Sequence, residues 1–291
     1  MLKVGLAHWE ETAARIEGPL ESRGIQVEHI TVTEEVTSLT DSHELPPIDV
    51  GLFFPSRIPE GGVLTALLEI PWVNGREEIL RSRSKAETLA RLDAAGVPVP
   101  ETVVISNPVD KAELATAFDT FDPPAVIKPN STTRGQGVLK VTEPDSLFGV
   151  TDYLDLLHEY PITRDRTYLL QEYLSGARDI RVMVFDGKVV GAVERKLPAK
   201  ARSSGRWKHN VHSGATAKGI NPSEPVRKLA ERVAEVMDIP ILGIDILESS
   251  EKRVVSETNA RPTIDDESKY ETGFYDRFAS LLRETTRKSR V

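Results

Sequence analysis

The chain has 291 residues, 37 basic and 45 acidic, for a formal charge of −8, and this acidic balance argues against general nucleic-acid binding. It contains no cysteine, which excludes a thiolate nucleophile, a thiolate zinc site, an iron–sulfur cluster and disulfides and makes a cytoplasmic address the expectation. No window holds the ~20 apolar residues of a membrane span, Met1–Ala7 turns polar too soon for a signal peptide, and at about 150 residues per domain the length suggests two domains or one large assembly.

Lys3–Ala7 is a short apolar run that predicts a strand, with a helical pattern after it. Ile25–Val32 alternates like a strand, Val50–Phe54 is a buried-type strand stopped by Pro55, Gly61–Ile70 reads as a helix and Pro71–Asn74 as another short strand. Strands alternating with helices imply a small parallel α/β unit. A boundary falls near Arg81–Lys85. There Ser84 and Glu87 have the spacing of a capping box, in which the hydroxyl accepts from a free N–H at the helix start and the glutamate reaches back. That helix runs to Ala95, Gly96 suits its left-handed end, and Val97–Pro100 enforces an extended exit.

Beyond Pro124 the pattern becomes strand-rich: Ala125–Pro129, Gly137–Val141 and Tyr168–Leu174. Ile180–Phe185 and Lys188–Arg195 flank the two-residue turn Asp186-Gly187, which predicts a hairpin. Pro225–Met237 is an amphipathic helix, and Gly243–Glu248 and Val254–Asn259 are strands joined by a charged stretch. Tyr270–Arg283 closes as a helix, and its basic end, Arg283–Arg290, is expected to be a solvated tail.

Three constellations carry chemistry. If the last hairpin pairs Leu247 with Val255, Asp245 sits opposite Glu257, and period two puts Asn259 on the Glu257 face. Opposed carboxylates repel; a hard divalent cation removes that cost, and oxygen donors suit Mg2+ or Mn2+. The alternative is a surface hairpin with solvated acids. Lys128 ends an apolar strand and leads into Asn130–Gly137, a loop of hydroxyls and glycines that offers N–H groups to phosphate, or is simply a loop. In the Asp186-Gly187 hairpin, Asp179 falls across from Glu194 and Arg181 across from Ala192, so that Asp179, Arg181 and Glu194 share a face, either as a site or as a salt-bridge ladder. The stretch after Lys196–Lys200, through Trp207-Lys208-His209-Asn210-Val211-His212, is rich in donors and suits phosphate better than zinc.

Taken in order, Ser82–Lys85, Val126-Ile-Lys128, Gly135-Gln-Gly137, Gln171-Glu172-Tyr173-Leu174, Asp179-Ile-Arg181, Asn210-Val-His212, Gly243-Ile-Asp245 and Glu257-Thr-Asn259-Ala-Arg-Pro262 resemble the ATP-grasp superfamily. Within it the chain is similar to the RimK-like carboxylate–amine ligases of α-L-glutamate ligase type. The resemblance implies an N-terminal α/β domain over 1–80, a central and lid subdomain of the ATP-grasp fold over 81–176, and a C-terminal subdomain with metal-binding strands over 177–291. It also implies that Lys85 and Lys128 contact the phosphates of ATP while the loop of Gly135 and Gly137 closes over them. Glu172 and Tyr173 would lie at the adenine, Asp179 near ribose or substrate, and Lys208, His209 and Asn210 near the phosphates. Asp245, Glu257 and Asn259 would hold two Mg2+ (or Mn2+) ions, and Arg181, Lys208 and Asn210 would be catalytic.

Two departures bear on the substrate. Relatives of the ribosomal-protein glutamate ligase usually carry Phe-Arg-x-Asn where this chain has Trp207-Lys208-His209-Asn210, which keeps the charge but not a two-pronged guanidinium. After Asn259 comes Ala260-Arg261-Pro262-Thr263 in place of a small residue, Pro and Gly. Arg261 could bind a substrate carboxylate or pair with Asp265 or Asp266; Arg195 is a second candidate for substrate contact. The implied reaction joins a carboxylate and an amine through an acyl phosphate, using ATP and adding glutamate or another amino acid to a peptide, protein or small-molecule amine. Phosphorylation of a small alcohol and nucleotide binding without catalysis are the alternatives. Removal of Asp245 or Glu257 is expected to abolish ATP turnover and leave the fold intact. Dimers or tetramers among relatives leave room for a homo-oligomer.

Overall fold

In the computed structural model, residues 1–8, 10–31, 36–40, 46–132, 135–158, 166–209 and 214–288 are described, with the main chain alone at 155–158 and 202. The first sheet is parallel. Its elements are β1 (Leu2–Leu6), α1 (Glu10–Glu21), β2 (Ile25–His29), β3 (Val50–Leu52), α2 (Ile58–Leu68) and β4 (Trp72–Val73), with strand order β2-β1-β3-β4. The central strands β1 and β3 are short apolar runs buried toward their carboxyl ends, as parallel strands covered by helices are, whereas the edge strand β2 is polar and buries only Ile25. β3 stops before Pro55 because Phe53 turns left-handed at φ 61°.

Two helices follow, α3 (Arg76–Arg83) and α4 (Lys85–Ala94). Ser84 caps α4 by accepting from the Glu87 N–H at 3.2 Å, but the Glu87 carboxylate does not reach back. It accepts two bonds from Arg91, at 3.0 and 2.8 Å, the neighbour four residues on along the same face. Gly96 takes the left-handed conformation that ends the helix, at φ 72°.

The second sheet comprises β5 (Thr102–Ser106), β6 (Ala125–Pro129), β7 (Leu139–Val141) and β8 (Thr167–Glu172). Its strand order is β5-β8-β6-β7, every pair antiparallel. The helices α5 (Lys111–Phe118) and α6 (Pro144–His158) cover one face; Leu114, Phe118, Leu147 and Leu154 pack there with Ile127, Tyr168 and Leu170.

The third sheet is built from β9 (Arg178–Phe185), β10 (Lys188–Lys196), β11 (Thr216–Ile220), β12 (Ile241–Glu248) and β13 (Arg253–Asn259), ordered β11-β10-β9-β12-β13 and antiparallel throughout. α7 (Ala199–Ser203) precedes β11, α8 (Glu224–Met237) precedes β12, and α9 (Phe274–Lys288) ends the described chain. α8 lays its buried stripe, Val226, Ala230, Val233 and Met237, on Ile180, Val182, Ile244 and Ile246; Ile79, Leu92 and Val97 join this core. On the opposite face Met183, Phe185 and Ile241 meet α9 and the first sheet, in one cluster with Val4, Leu6, Phe274 and Phe278.

Both predicted hairpins form, and each carries a one-residue slip. In β9–β10 the register shifts between Val189 and Gly191, so Asp179 faces Arg195 and Arg181 faces Val193. Glu194 therefore does not share a face with Asp179 and Arg181; it bonds Arg178 at 3.0 Å and Lys196 at 2.9 Å. The cause is a close approach of backbone: a Cβ on Gly191 would lie 2.7 Å from the Tyr270 ring and 2.9 Å from the Lys269 carbonyl. In β12–β13 Leu247 pairs with Val254 and Ile246 with Val255, yet Asp245 still faces Glu257, because Ser256 is the extra residue. The basic end continues α9 as far as Lys288 with Arg283, Arg287 and Lys288 exposed to solvent, although Arg283 also donates to the Arg23 carbonyl and Thr286 is buried; Ser289 and Arg290 lie outside the described residues. No helix among the described residues is long and apolar enough to cross a membrane.

Candidate active site

Alternation along β9 creates the site. Phe185 and Met183 point into the core shared with the first sheet, and Arg181 and Asp179 follow on the same face where that core ends. On β12, Ile241 enters the core and Asp245 lies beyond it on the same face. The second sheet closes over these charges with Val126, Lys128 and Gln171, the residues alternating with its core positions Ala125, Ile127 and Leu170. Between the sheets lies a cleft of about 350 Å3.

Asp245 is the centre of the charge network. Arg181 Nε and Nη2 donate to its two oxygens at 2.6 and 2.8 Å, and Arg195 Nη2 lies 2.9 Å from Oδ2. Burial alone would raise the Asp245 carboxyl; the two guanidinium groups outweigh it and hold the group well below the usual carboxylate range. Arg195 also donates to Asp179 Oδ1, at 3.0 and 2.5 Å. Burial wins at Asp179, pushing it up to about 6 against the pull of Arg195 and with the help of the Asp245 charge. Arg195 is thus an internal link between two carboxylates. Glu257 is half-exposed, 3.9 Å from Arg181 and 3.7 Å from Lys85.

Lys128 enters from the opposite sheet. Its ammonium donates to Gln171 Oε1 at 3.0 Å and to the Ser256 carbonyl at 3.5 Å. Burial pushes it down to about 8, opposed by Glu257 and assisted by Lys85. Lys85, one residue past the Ser84 cap, donates to the Thr132 carbonyl at 2.5 Å and so touches the glycine loop. Gly135 lines the cleft. Gly137 does not; its Cβ would lie 2.7 Å from Pro129, and its φ is 71°, which explains the glycine. Asn130 ties the same loop to α4, accepting from Ala86 N–H at 2.9 Å and donating to Ser84 and Thr167.

At the far end of the cleft, Tyr173 meets Trp207 edge-on at 5.5 Å, and Lys140 lies 4.7 Å from the Tyr173 ring centre. The Glu172 carboxylate is committed to the Glu101 N–H at 2.8 Å and to Lys252. Lys208 lies over Trp207 at 5.9 Å, its charge disfavoured by burial, and His209 Nδ1 is 3.8 Å from Asp179. Asn210 and His212 lie outside the described residues.

Asn259 faces Gly243 across the hairpin, and its Oδ1 accepts from the Arg261 N–H at 2.8 Å. Arg261 makes no pair with Asp265 or Asp266. Asp265 is taken by Lys269 at 2.6 Å, and the Arg261 guanidinium instead donates to the carbonyls of Phe53 and Phe54. Burial pushes it down to about 10. Sequence reasoning placed Gln171 in the Gln171–Leu174 motif without giving it a role, although it is a lone amide after the apolar run Tyr168-Leu169-Leu170, and overlooked Lys140, which nothing in the sequence singles out.

Among the described residues no three His, Asp or Glu side chains form a cluster suited to a metal ion. The donors on offer are the opposed Asp245 and Glu257 and the amide of Asn259. All three are oxygen ligands, and Asp245 is held ionised. This set fits a hard cation that completes its shell with phosphate oxygens and water.

Residues 82–274 match the RimK-like ATP-grasp domain. A probable alpha-L-glutamate ligase of Stenotrophomonas maltophilia is 29% identical over 194 residues, which are 66% of this chain and 62% of the relative. The chain therefore spans about three fifths of the length of that relative. Among solved structures, D-alanine–D-alanine ligase of Bacillus anthracis complexed with ATP is similar at a TM-score of 0.69 and 17% identity, covering 100% of this chain and 99% of its own. A RimK-domain ATP-grasp protein of Sphaerobacter thermophilus matches at a TM-score of 0.69 and 18% identity, over 97% and 99% of the two chains. The D-alanyl-alanine synthetase A of Vibrio cholerae reaches a TM-score of 0.74 at 17% identity, over 99% of each. With the domain match spanning most of its length, this chain belongs to the RimK-like ATP-grasp family.

Proposed function

We propose that the protein is an ATP-dependent carboxylate–amine ligase that joins an amino acid, with glutamate the first candidate, to a peptide, protein or small-molecule amine. The observation that carries this reading is the meeting of Lys128 and Lys85 with the opposed Asp245 and Glu257 in one cleft. The kinship with probable alpha-L-glutamate ligases supports the donor.

A carboxylate oxygen is a poor nucleophile toward a polyanionic phosphate. Lys128, desolvated and without a direct carboxylate bond, is set to attract phosphate oxygens. Lys85 would follow the glycine loop down as it closes, since it already holds the Thr132 carbonyl. Arg181 keeps Asp245 ionised and, 3.9 Å from Glu257, stands beside the transferring group. Lys208 and His209 would meet the phosphates from the other wall. Tyr173 and Trp207 present aromatic surface for the base. Asp245, Glu257 and Asn259 would hold the divalent ions, which when bound neutralise phosphate charge. The closed loop must exclude water, because an acyl phosphate hydrolyses readily.

Glu257→Gln tests the reading. It is expected to lower amine-dependent ADP release by at least about 10^3-fold with an unchanged melting temperature. Release at the wild-type rate would refute the assignment.

A further inference from the structure

Arg261 is a half-buried cation that the cleft chemistry does not use. Among the described residues, Arg181 and Arg195 have carboxylate partners, whereas Arg261 donates only to main-chain carbonyls, and through Nη1 alone. The Nε and Nη2 edge, the two-pronged side that matches a carboxylate, has no protein acceptor among the described residues. A half-buried guanidinium so placed has no carboxylate partner among the described residues, and an arriving carboxylate would supply one.

The surroundings fix this one residue from several directions. Its N–H is bound by Asn259 Oδ1 at 2.8 Å, and its carbonyl accepts from His8 Nε2 at 3.2 Å. The carbonyl just before it, on Ala260, accepts from Asn74 Nδ2 at 2.6 Å, and Asn74 also grips Ile241 at 2.5 and 3.0 Å. Phe53 and Asn74, at the ends of β3 and β4, are both left-handed, at φ 61° and 55°. Non-glycine residues adopt that conformation at a cost of order 1–3 kcal/mol. At Phe53 the strained turn aims two successive carbonyls at Arg261. The contacts from His8, Phe53, Phe54 and Asn74 come from the carboxyl ends of the parallel strands of the first sheet, where open α/β sheets bind ligands, and Arg261 is two residues from Asn259.

Resting on the ligase reading, we infer that Arg261 is a specificity-determining residue that holds the free α-carboxylate of an amino-acid substrate, at the junction of the first sheet with the Glu257–Asn259 strand. The carboxylate it holds is not the one activated, which must reach the phosphate side near Lys128. The substrate class is therefore an α-amino acid with an unblocked carboxylate, and its α-carboxamide is discriminated against.

The test is footprinting of the full-length protein with phenylglyoxal in the presence of ADP and Mg2+. Each of the twenty amino acids and its α-carboxamide is added in turn, and the Arg261 adduct is quantified by peptide mass. At least one amino acid is expected to slow Arg261 labelling five-fold or more, and its carboxamide is not. In parallel, Arg261→Met is expected to raise KM for that amino acid about 100-fold with a smaller change in kcat, and Arg261→Lys to recover part of the loss; thermal stabilisation by ADP and Mg2+ verifies that both variants fold. Labelling indifferent to every amino acid, or slowed equally by acid and amide, overturns the proposal. ADP release from ATP, measured in parallel samples that hold ATP, Mg2+, the same amino acids and candidate carboxylate or amine partners, separates the two claims. Amino-acid-dependent release without protection sinks the Arg261 assignment alone, protection without such release sinks the ligase reading and keeps the carboxylate site, and absence of both sinks both.

Discussion

At the scale of single residues, the charges in the cleft are tuned by burial against pairing, and two outcomes follow. Lys128 titrates near 8 because burial disfavours its ammonium. Below that pH it is charged and attracts phosphate; above it the free protein must take up a proton to bind. The Kd for ADP with Mg2+ is therefore expected to be flat below about pH 8 and to rise toward tenfold per pH unit above it. Lys128→Met should bind weakly with no break, and a wild-type Kd flat to pH 9.5 would contradict the assignment. Asp245 behaves differently. Asp245→Ala strips Arg181 and Arg195 of a shared counter-ion, so a stability loss of about 3–5 kcal/mol is expected in urea melts. This revises the expectation that either acid could be removed with the fold intact; it holds for half-exposed Glu257 only. The opposition of Asp245 and Glu257 was reached in the sequence through a pairing of Leu247 with Val255 that does not form; it survives because the slip at Ser256 lies between the Asp245–Glu257 pair and the turn. The partners of Arg261 were not, since the carbonyls of Phe53 and Phe54 leave no mark in a sequence.

At the scale of elements, strands and helices of strong period were legible nearly to the residue, as with Ala125–Pro129 and the stripe of α8. The slips in the two hairpins were not, because a bulge is imposed by a neighbour distant in sequence. Gly191 shows this: the segment at Lys269 and Tyr270 presses on it and forces the shift that brings Asp179 opposite Arg195. Gly191→Ala is expected to cost about 1–3 kcal/mol by overpacking, read as a lower melting temperature, and to lower turnover by disturbing the Asp179–Arg195 pair. A fully stable variant would show that the contact is slack. The capping serine is a milder case: Ser84→Ala should destabilise by about 1 kcal/mol and weaken nucleotide binding, because Lys85 and the Asn130 contact depend on that helix start.

At the scale of the molecule, the first sheet, α9 and the third sheet share one core, whereas the second sheet meets the third across the cleft through a few polar contacts, Lys128 to Ser256 and Lys252 to Glu172. This asymmetry suits a floor that stays fixed and a cover that closes on a nucleotide. The order of motifs along the chain made the family legible, and among the described residues they bring Lys85, Lys128, Gly135, Glu172, Asp245 and Glu257 to one cleft. Substrate identity was not legible, because it depends on the junction of the first sheet with Arg261, built from strands far apart in sequence. The central claim is that this cleft couples ATP cleavage to amide formation. Its most direct measurement is the mass and stoichiometry of products when amino acids, each paired with a candidate carboxylate or amine, are incubated with the protein, ATP and Mg2+. The account predicts a product equal to the two substrates less one water, with one ADP and one phosphate released for each bond. A stable phosphoester, or ADP released at the same rate with no acceptor present, would contradict it.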